Sequence, residues 1–500
     1  MKVNLISFYN RFNEYPTKYS LGTLKLAAYI GQEEKIDVKI IPLDSEQNIT
    51  DDSISKILEG EPDIVGIPNY MWTEELAQSI SKNIGNCAPK VLKVIGGPST
   101  NSVEFDKWNH DEIFILGEGE LALMEICKAK MKDITFDSTK LSMLSAENVF
   151  SETVNLENRQ VLYTSTQIPR GLPLFSDDIE KMKQDKSPEA FAWYETTRGC
   201  AYTCGYCGHK TRNNLGDVDM DIIKAEIANI RRLGITRLFI VDPIIGGKKN
   251  KGKEILELCS EQIPDTKLIA YLRPEMLDSE YVDILQRSNL EEMRFGIQTL
   301  NPNVPTWVRS NAIEKIKIEL SKLKGRNIRW RAELIVGLPG DDMDGLRNSI
   351  QVVIDEFQPT VLAAYHLTAI KGTKVYDLVD GTGPKGMYLK CDKNSQAIAS
   401  HSYTEQDFHK MAQYSNSITG LYNLLKKFYP QKMINFRKLE AYVLQKMPDA
   451  DNKKIIEFDD EYNESFWKKK LGEQFYEKDD NDKTWRVRGE QKKDYSRTRG

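Results

Sequence analysis

The sequence has no long hydrophobic run and no excess of positive charge. Within its 500 residues no stretch approaches the roughly twenty apolar residues of a membrane span, and residues 1–8 lack the long apolar core of a signal peptide. Lys and Arg total 69 against 74 Asp and Glu, which gives a net charge of −5. Because nucleic-acid binding leaves a basic footprint, we expect a cytoplasmic protein that acts neither in a membrane nor on nucleic acid.

Cysteine is scarce, and its distribution excludes a disulfide framework. Four of the seven cysteines stand alone in the sequence, at Cys87, Cys127, Cys259 and Cys391. Single, scattered cysteines are typical of a reducing compartment. The other three fall within eight residues of one another, at C-x3-C-x2-C spacing.

These three clustered cysteines are Cys200, Cys204 and Cys207, just after the apolar run 190–194. A structural zinc site closes with four ligands, so it would need His209 or a distant residue as well. An iron–sulfur cluster held by three thiolates instead leaves one iron free to bind a small molecule. The spacing therefore favours a cluster, with a zinc-binding, non-catalytic interaction protein as the alternative.

Residues 1–135 alternate short apolar strands with stretches of helical periodicity. This alternation predicts a Rossmann-like, doubly wound parallel sheet, whose ligands lie outside the carboxyl ends of the strands. Three turns, 69–73, 96–100 and 117–119, would line that pocket, and glycine there lets backbone approach a ligand closely. No G-x-G-x-x-G follows the first strand, which disfavours a dinucleotide.

The rest of the chain divides into three predicted parts. Residues 136–188 lack periodicity and predict a linker. Residues 189–372 alternate six strands with helices, which predicts an open (β/α)6 partial barrel with its site at the carboxyl ends of the strands. Residues 373–500 predict a mainly helical region that ends in a charged tail from Asp449, part of it disordered or folding on a partner.

Several sequence features resemble the radical S-adenosylmethionine (SAM) superfamily. They are the cysteine motif with Tyr206 before its third cysteine, the strand-four segment 295–299 and the strand-five segment 334–340. The resemblance implies that the three cysteines hold a [4Fe–4S] cluster whose free iron binds SAM. It also implies an electron from a reductant such as flavodoxin or ferredoxin, and cleavage of SAM to a 5′-deoxyadenosyl radical.

The same resemblance implies a set of SAM contacts at the strand ends. Tyr206, Gln298 and Gly337 fall at the matching positions. The Gly-Gly-Glu that often follows strand two is absent, since Lys248 follows Gly246 and Gly247. Two carboxylates at the strand ends are therefore expected to take its place near the SAM amino group, Asp242 and Glu333.

The N-terminal layout resembles the cobalamin-binding domain found before many radical SAM barrels. It carries an aromatic–polar pair at 72–73, then Gly-Gly-Pro, then Gly-Glu-Gly-Glu. The resemblance implies that cobalamin contacts Trp72, Gly96, Gly97, Gly117 and Gly119. Because no Asp-x-His-x-x-Gly is present, we expect no histidine ligand to cobalt and Trp72 covering its lower face. A purely structural domain is the alternative.

Together these features predict a radical SAM enzyme that modifies an unactivated carbon of a peptide or natural-product substrate. The cobalamin-type domain favours C-methylation, with two SAM molecules consumed per turnover. The alternative is a peptide epimerase or another radical rearrangement enzyme in which the thiol of Cys391 returns a hydrogen atom.

Overall fold

Two parallel sheets follow one another along the chain. The computed structural model describes residues 1–10, 19–102, 107–108, 112–133, 153–155, 161–165, 191–210 and 216–446. The predicted charged tail and most of the predicted linker lie outside the described residues.

The first sheet has seven strands in the order β2-β1-β3-β4-β5-β7-β6. Its strands are β1 (Lys2–Tyr9), β2 (Asp37–Asp44), β3 (Ile64–Pro68), β4 (Leu92–Gly96), β5 (Glu112–Gly117), β6 (Thr153–Asn155) and β7 (Val161–Ser165). All neighbours pair in parallel except β6, which runs antiparallel to β7. The strand order reverses at β1 and β3, and this reversal is where an open α/β sheet leaves a crevice for a ligand.

Four helices cover this sheet on its two faces. They are α1 (Leu21–Ile30), α2 (Asp51–Ile57), α3 (Glu74–Cys87) and α4 (Gly119–Met131). One buried cluster joins α1 and α4 to the sheet through Ile30 and Ile126, and a second joins α2 and α3 through Ile57 and Ile80. The predicted doubly wound architecture is confirmed, because both faces of the sheet are apolar and both are covered.

The second sheet is a partial barrel of six parallel strands in the order β15-β14-β13-β12-β11-β8. The strands are β8 (Phe191–Tyr194), β11 (Arg237–Ile240), β12 (Lys267–Leu272), β13 (Leu290–Gln298), β14 (Trp330–Val336) and β15 (Val361–His366). A short ladder, β9 (Thr197–Arg198) with β10 (Gly216–Asp217), follows β8. Among the described strands none pairs with the outer edges of β8 and β15, so the barrel is open there as predicted.

The barrel helices pack against the outer face of this sheet. They are α5 (Met220–Leu233), α6 (Lys249–Gln262), α7 (Ser279–Arg287), α8 (Ile313–Ser321) and α9 (Met343–Val352). Strand side chains such as Ala270 and Leu334 share one buried cluster with Ile227, Leu256 and the other helices. The core therefore lies between strands and helices, and the alternate side chains point into the barrel.

The C-terminal part adds a hairpin and two helices. The hairpin is β16 (Leu389–Cys391) with β17 (Ala397–Ser400), and the helices are α10 (Glu405–Phe428) and α11 (Phe436–Lys446). The long helix begins at a reciprocal capping box formed by the side chains of Thr404 and Asp407. Its apolar stripe, including Met411 and Ile418, is buried in the barrel's core cluster.

Two strands fall within the stretch predicted to be a linker. β6 and β7 extend the first sheet, with β7 in parallel register on β5. The division of the chain into domains at 135 and 188 stays a prediction. No helix in the described part of the chain is both long and apolar enough to span a membrane.

Candidate functional site

A cavity of about 290 Å³ lies at the carboxyl ends of the first sheet, beside the strand-order reversal. Strands β1, β3, β4 and β5 and the start of α1 contribute its walls. Four glycines that the sequence assigned to a ligand pocket all line it, Gly96, Gly97, Gly117 and Gly119. The structure thus brings the predicted turns together at one opening.

Two adjacent glycines in this wall have different physical roles. Gly97 has φ +124°, and a Cβ there would lie 2.6 Å from the carbonyl oxygen of Asn69, so the turn requires glycine. Gly96 is different, because an added Cβ would meet only the Cβ of Ile115, at 3.9 Å. The fold therefore does not require glycine at position 96, and the absence of a side chain there leaves space in the cavity.

The aromatic wall of the cavity is Tyr70 rather than Trp72. Trp72 is 73% exposed and does not line the cavity, whereas Tyr70 does. The two rings are stacked, with centroids 5.1 Å apart and an interplanar angle of 5°. Trp72 therefore lies in a layer outside Tyr70, and its contact with the lower face of cobalamin stays a prediction.

A network of charged side chains closes the side of the cavity that faces the barrel. Arg198 pairs with Glu118, with Glu120 at 2.9 Å and with Glu195 at 2.9 Å, and Lys25 pairs with Glu195. All five side chains line the cavity. Burial makes these pairs interdependent, because each charge removed would leave an uncompensated partner.

Sequence reasoning missed this network because its partners are far apart in the chain. Lys25 and Glu195 are 170 positions apart, and Arg198 and Glu118 are 80 apart. The available signal was positional: Glu118 and Glu120 follow β5, and Glu195 follows β8, each at the carboxyl end of a strand.

The cysteine loop follows β8 and is fixed against the loop after β13. Gly205 donates its backbone N–H to the carbonyl of Val308 at 3.0 Å and accepts a hydrogen bond from the N–H of Val375 at 2.9 Å. A Cβ at Gly205 would lie 2.7 Å from the carbonyl oxygen of Trp307. This close approach holds the loop by its backbone and leaves the thiols free to face a ligand.

The three thiols are half-buried and form no disulfide. Burial raises the pKa of Cys200 and of Cys207. In the described part of the chain no three His, Cys, Asp or Glu side chains lie close enough together to hold one metal ion. In an iron–sulfur cluster each thiolate binds a different iron, so this chemistry needs no convergence on one point.

Two arginines face the middle thiol. The guanidinium of Arg309 lies 3.3 Å from Cys204 Sγ, and that of Arg273 lies 3.9 Å from the same atom. Arg273 stacks 3.9 Å from the ring of Tyr202 and pairs with Glu275. Soft thiols beside buried cations suit an anionic iron–sulfur cluster, so the donor set fits this group.

Tyr206 packs the cysteine loop onto an apolar cluster that includes Val308, Leu338 and Leu367. Its hydroxyl lies 3.4 Å from Arg309, and burial raises the pKa of this phenol. A SAM contact through Tyr206 stays a prediction, and the packing gives the side chain a structural role as well.

Asp242 is fully buried and its carboxylate is occupied by the chain. It accepts hydrogen bonds from Thr196 N at 2.7 Å, Thr197 N at 3.1 Å, Gly246 N at 2.9 Å and the Thr196 hydroxyl. Burial raises the pKa of this carboxyl to about 6, although the four hydrogen bonds act to lower it. This carboxylate therefore ties the end of β8 to the turn after β11, and a contact between Asp242 and SAM stays a prediction.

The other predicted SAM residues lie at the barrel opening. Gln298 has φ +70° at a register shift in β13, an uncommon conformation for a non-glycine residue that marks local strain. Glu333 is 8% exposed, and burial raises its pKa while Arg294 and Arg331 lower it. Gly337 has φ +89° at the end of β14 and carries the turn predicted to bind SAM.

The inside of the barrel has an aromatic side and a charged side. Ring contacts run from Trp193 to Phe239 and from Phe239 to Tyr271. Glu292 pairs with Arg294 at 2.7 Å and with Arg331 at 2.9 Å. The pair between Glu292 and Arg331 joins β13 to β14, so local sequence patterns gave no signal for it.

Cys391 and the two histidines near the barrel opening differ in their surroundings. Cys391 is half-buried at the end of β16 and packs in the same apolar cluster as Tyr206. Burial lowers the pKa of His209, and Glu195 opposes that shift, so the end of the cysteine loop faces the charged network. His366 packs edge-on against Phe408 of α10, with centroids 5.4 Å apart.

Comparison with known proteins gives matches for both halves of the chain. Residues 194–353 match the Radical SAM superfamily. The cobalamin-dependent radical SAM methyltransferase TokK of Streptomyces tokunonensis is 23% identical over 361 residues, which cover 66% of this chain and 51% of TokK. The chain thus spans about half the length of this curated relative.

Two solved structures share the fold over most of the chain. The radical SAM methyltransferase TsrM of Kitasatospora setae, with cobalamin and a [4Fe–4S] cluster bound, matches with a TM-score of 0.62 and 14% identity, over 89% of this chain and 99% of TsrM. The cobalamin-dependent radical enzyme OxsB, with aqua-cobalamin and SAM bound, gives 0.65 and 14%, over 89% of this chain and 70% of OxsB.

Proposed function

We propose that this chain is a cobalamin-dependent radical SAM C-methyltransferase. The premise is that it carries a radical SAM domain behind an N-terminal domain of the cobalamin-binding type. The enzyme would methylate an unactivated carbon of a peptide or natural-product substrate. The relatives named above as methyltransferases support this reaction class.

One observation supports the proposal most directly. The wall of the N-terminal cavity includes Glu195 and Arg198, and Cys200 follows Arg198 by two positions. The cavity and the cysteine loop therefore share one short piece of chain. A radical formed at the loop and a methyl donor held in the cavity would act on the same substrate, which a purely structural N-terminal domain would not require.

The residues divide between the two cofactor sites. Cys200, Cys204 and Cys207 would hold the [4Fe–4S] cluster, and Gln298, Glu333 and Gly337 would contact SAM. Tyr70 and the glycines at the strand ends would receive cobalamin. The cluster with SAM supplies a 5′-deoxyadenosyl radical when reduced, and cobalamin supplies a methyl group. The chain's own part is to place these groups and to exclude water between them.

The proposal carries two expectations about the surroundings of the enzyme. A low-potential reductant such as flavodoxin or ferredoxin would deliver the electron, and a reducing cytoplasm would preserve a half-exposed cluster. The aromatic and charged sides inside the barrel would contact the substrate from different directions.

The test is anaerobic purification from cells supplied with cobalamin, followed by reconstitution with iron and sulfide. We expect the purified protein to retain cobalamin, seen in its absorption spectrum, and to convert SAM to 5′-deoxyadenosine when dithionite is added. A C200A/C204A/C207A variant should keep cobalamin and lose SAM cleavage.

The two halves of the proposal fail separately. A wild-type protein that cleaves SAM but binds no added cobalamin would exclude the methyltransferase and leave another radical SAM reaction. A protein that binds neither iron–sulfur cluster nor SAM would exclude every radical mechanism, including the epimerase.

One observation favours a second candidate. Cys391 packs in the apolar cluster of side chains that also contains Tyr206. Burial raises the pKa of the Cys391 thiol to about 11. A protonated thiol near the barrel opening is the group that could return a hydrogen atom to a substrate radical. A radical epimerase therefore remains the alternative to methylation.

A further inference from the structure

Arg309 is a buried cation with no carboxylate partner among the described residues. It is 7% exposed and lies in the loop after β13. Its guanidinium contacts Cys204 Sγ at 3.3 Å, Tyr206 Oη at 3.4 Å, Asn311 Oδ1 at 2.8 Å and the carbonyl of Gly296. Buried charges are normally paired, but Glu275, the carboxylate that acts on Arg309 through space, already pairs with Arg273, so Arg309 has no ion-pair partner of its own among the described residues.

The three thiols of the cysteine loop differ in the donors that face them. Backbone N–H groups of Tyr202 and His209 face Cys200 and Cys207, respectively. Cys204 is instead faced by the guanidinium groups of Arg309 and Arg273. The guanidinium contacts of the loop are thus concentrated on its middle ligand, while Arg309 also acts through space on Cys200 and Cys207.

This concentration is fixed by backbone contacts and does not depend on a flexible side chain alone. The N–H of Gly205 binds the carbonyl of Val308, the residue before Arg309, at 3.0 Å. Trp307 packs so closely on Gly205 that a Cβ there would clash with it. The loop after β13 therefore presents Arg309 to the cysteine loop in one register.

We propose that Arg309, assisted by Arg273, is a positioning residue that sets the reduction potential of the iron–sulfur cluster through the Cys204 ligand. The inference rests on the proposed function, since it assumes a [4Fe–4S] cluster on the three cysteines. A [4Fe–4S] core with three thiolates is anionic, and one electron from a low-potential reductant increases that negative charge. A cation and its hydrogen bond to a ligand sulfur stabilise the reduced form more than the oxidised form, which raises the potential.

The test is a potentiometric titration of the reconstituted iron–sulfur cluster without SAM. The EPR signal of the reduced cluster monitors the titration. Arg309→Gln removes the charge, and we expect a more negative midpoint potential at unchanged iron and sulfide content. Arg309→Lys keeps the charge and should restore part of the shift. Arg273→Gln should shift the potential in the same direction by less, because its contact is longer and Glu275 already pairs with it.

Arg287→Gln is the matched control, since this arginine is exposed and pairs with Glu257 on the barrel surface. It removes one positive charge and should leave the potential unchanged. A midpoint potential in Arg309→Gln equal to that of Arg287→Gln, with full iron content, would overturn the proposal. If Arg309→Gln loads no cluster, an unchanged potential in Arg273→Gln would overturn it instead. A wild-type protein without the EPR signal would count against the proposed function rather than against Arg309.

Discussion

At the scale of single residues, Gly96 offers a clean separation of ligand binding from folding. A Cβ added at this position meets the protein only at Ile115, and the φ of Gly96 lies outside the left-handed region. We predict that Gly96→Leu fills the cavity and abolishes cobalamin binding. The free energy of unfolding should change by less than about 1 kcal/mol, because the substitution creates neither a cavity nor a buried polar group.

Cobalamin retention, iron content and chemical unfolding measure these effects in the same preparation. Ser79→Leu, on the exposed face of α3, adds a similar volume away from the cavity and serves as the control. Retention of cobalamin by Gly96→Leu at the wild-type level would place the ligand elsewhere. Loss of the iron–sulfur cluster in this variant would show that the two sites cannot be separated by one side chain.

The thiol of Cys391 allows a prediction about pH. Burial raises its pKa to about 11, so the nucleophilic thiolate is scarce at neutral pH and grows as pH rises toward that value. We expect alkylation by iodoacetamide to be slow at pH 7 and to accelerate about tenfold per unit of pH, until the thiol titrates. Peptide mass spectrometry after timed alkylation reports the rate, with exposed Cys87 as an internal reference for access.

The opposite outcome is equally informative for Cys391. Alkylation at pH 7 as fast as that of Cys87 would mean that burial neither shields the thiol nor raises its pKa. The epimerase alternative would then lose the observation that favours it.

Single residues also show what sequence alone could and could not supply for the site. The glycines at 96, 97, 117 and 119 were predictable because strand ends in a doubly wound sheet converge. That Tyr70 rather than Trp72 lines the cavity could not be predicted, because the stacking of the two rings leaves no signal in the sequence. The hydrogen bonds that Asp242 accepts from Thr196, Thr197 and Gly246 could not be predicted either, because they depend on backbone positions that periodicity does not report.

At the scale of elements, the segment between β17 and α10 braces the predicted SAM turn. The hydroxyl of Tyr403 donates to the carbonyl of Gly337 at 2.6 Å. Ser402 accepts from the N–H of Gly340 at 3.0 Å and donates to the carbonyl of Asp341 at 2.7 Å. The C-terminal region therefore fixes the turn from outside the barrel.

We predict that Tyr403→Phe weakens SAM binding and lowers the free energy of unfolding by about 1–2 kcal/mol, because a buried carbonyl loses its donor. Anaerobic equilibrium dialysis with SAM and chemical unfolding measure the two effects. Tyr388→Phe removes a hydroxyl from an exposed ring nearby and should change neither. Wild-type affinity for SAM in Tyr403→Phe would disconnect this segment from the site.

Elements with a clear period were predicted well, and short ones were missed. The six barrel strands and the helices between them alternate apolar runs of the expected lengths, so their existence follows from sequence. The strands of the β16–β17 hairpin are only a few residues long, and they pair with each other within one segment after the barrel. The strands β6 and β7 pair locally with each other, but β7 joins the sheet through β5, which is far away in the chain and which local patterns do not encode as its partner.

At the scale of the whole molecule, Arg198 joins the two sheets through Glu118 and Glu120 on one side and Glu195 on the other. We predict that Arg198→Gln lowers the free energy of unfolding by about 3–5 kcal/mol, since it leaves buried carboxylates uncompensated. Cobalamin should be lost as well, because the network forms one side of the cavity.

Chemical unfolding monitored by circular dichroism, together with cobalamin content, checks this prediction. The control is Lys390→Gln, which breaks an exposed pair with Glu405 and should cost no more than about 1 kcal/mol. Equal effects of the two substitutions would mean that solvent screens the Arg198 network, and that the sheets are joined by apolar contacts alone.

The short connection from Arg198 to Cys200 also limits how the enzyme can move. Two residues of extended chain span at most about 7 Å, so the backbones of Arg198 and of the first cysteine stay within that distance in any conformation of the protein. We expect the molecule to open for a substrate away from this connection, at the outer edge of β15, which pairs with no other described strand, or in the C-terminal region. The covalent chain itself acts as a spacer between the two reaction centres.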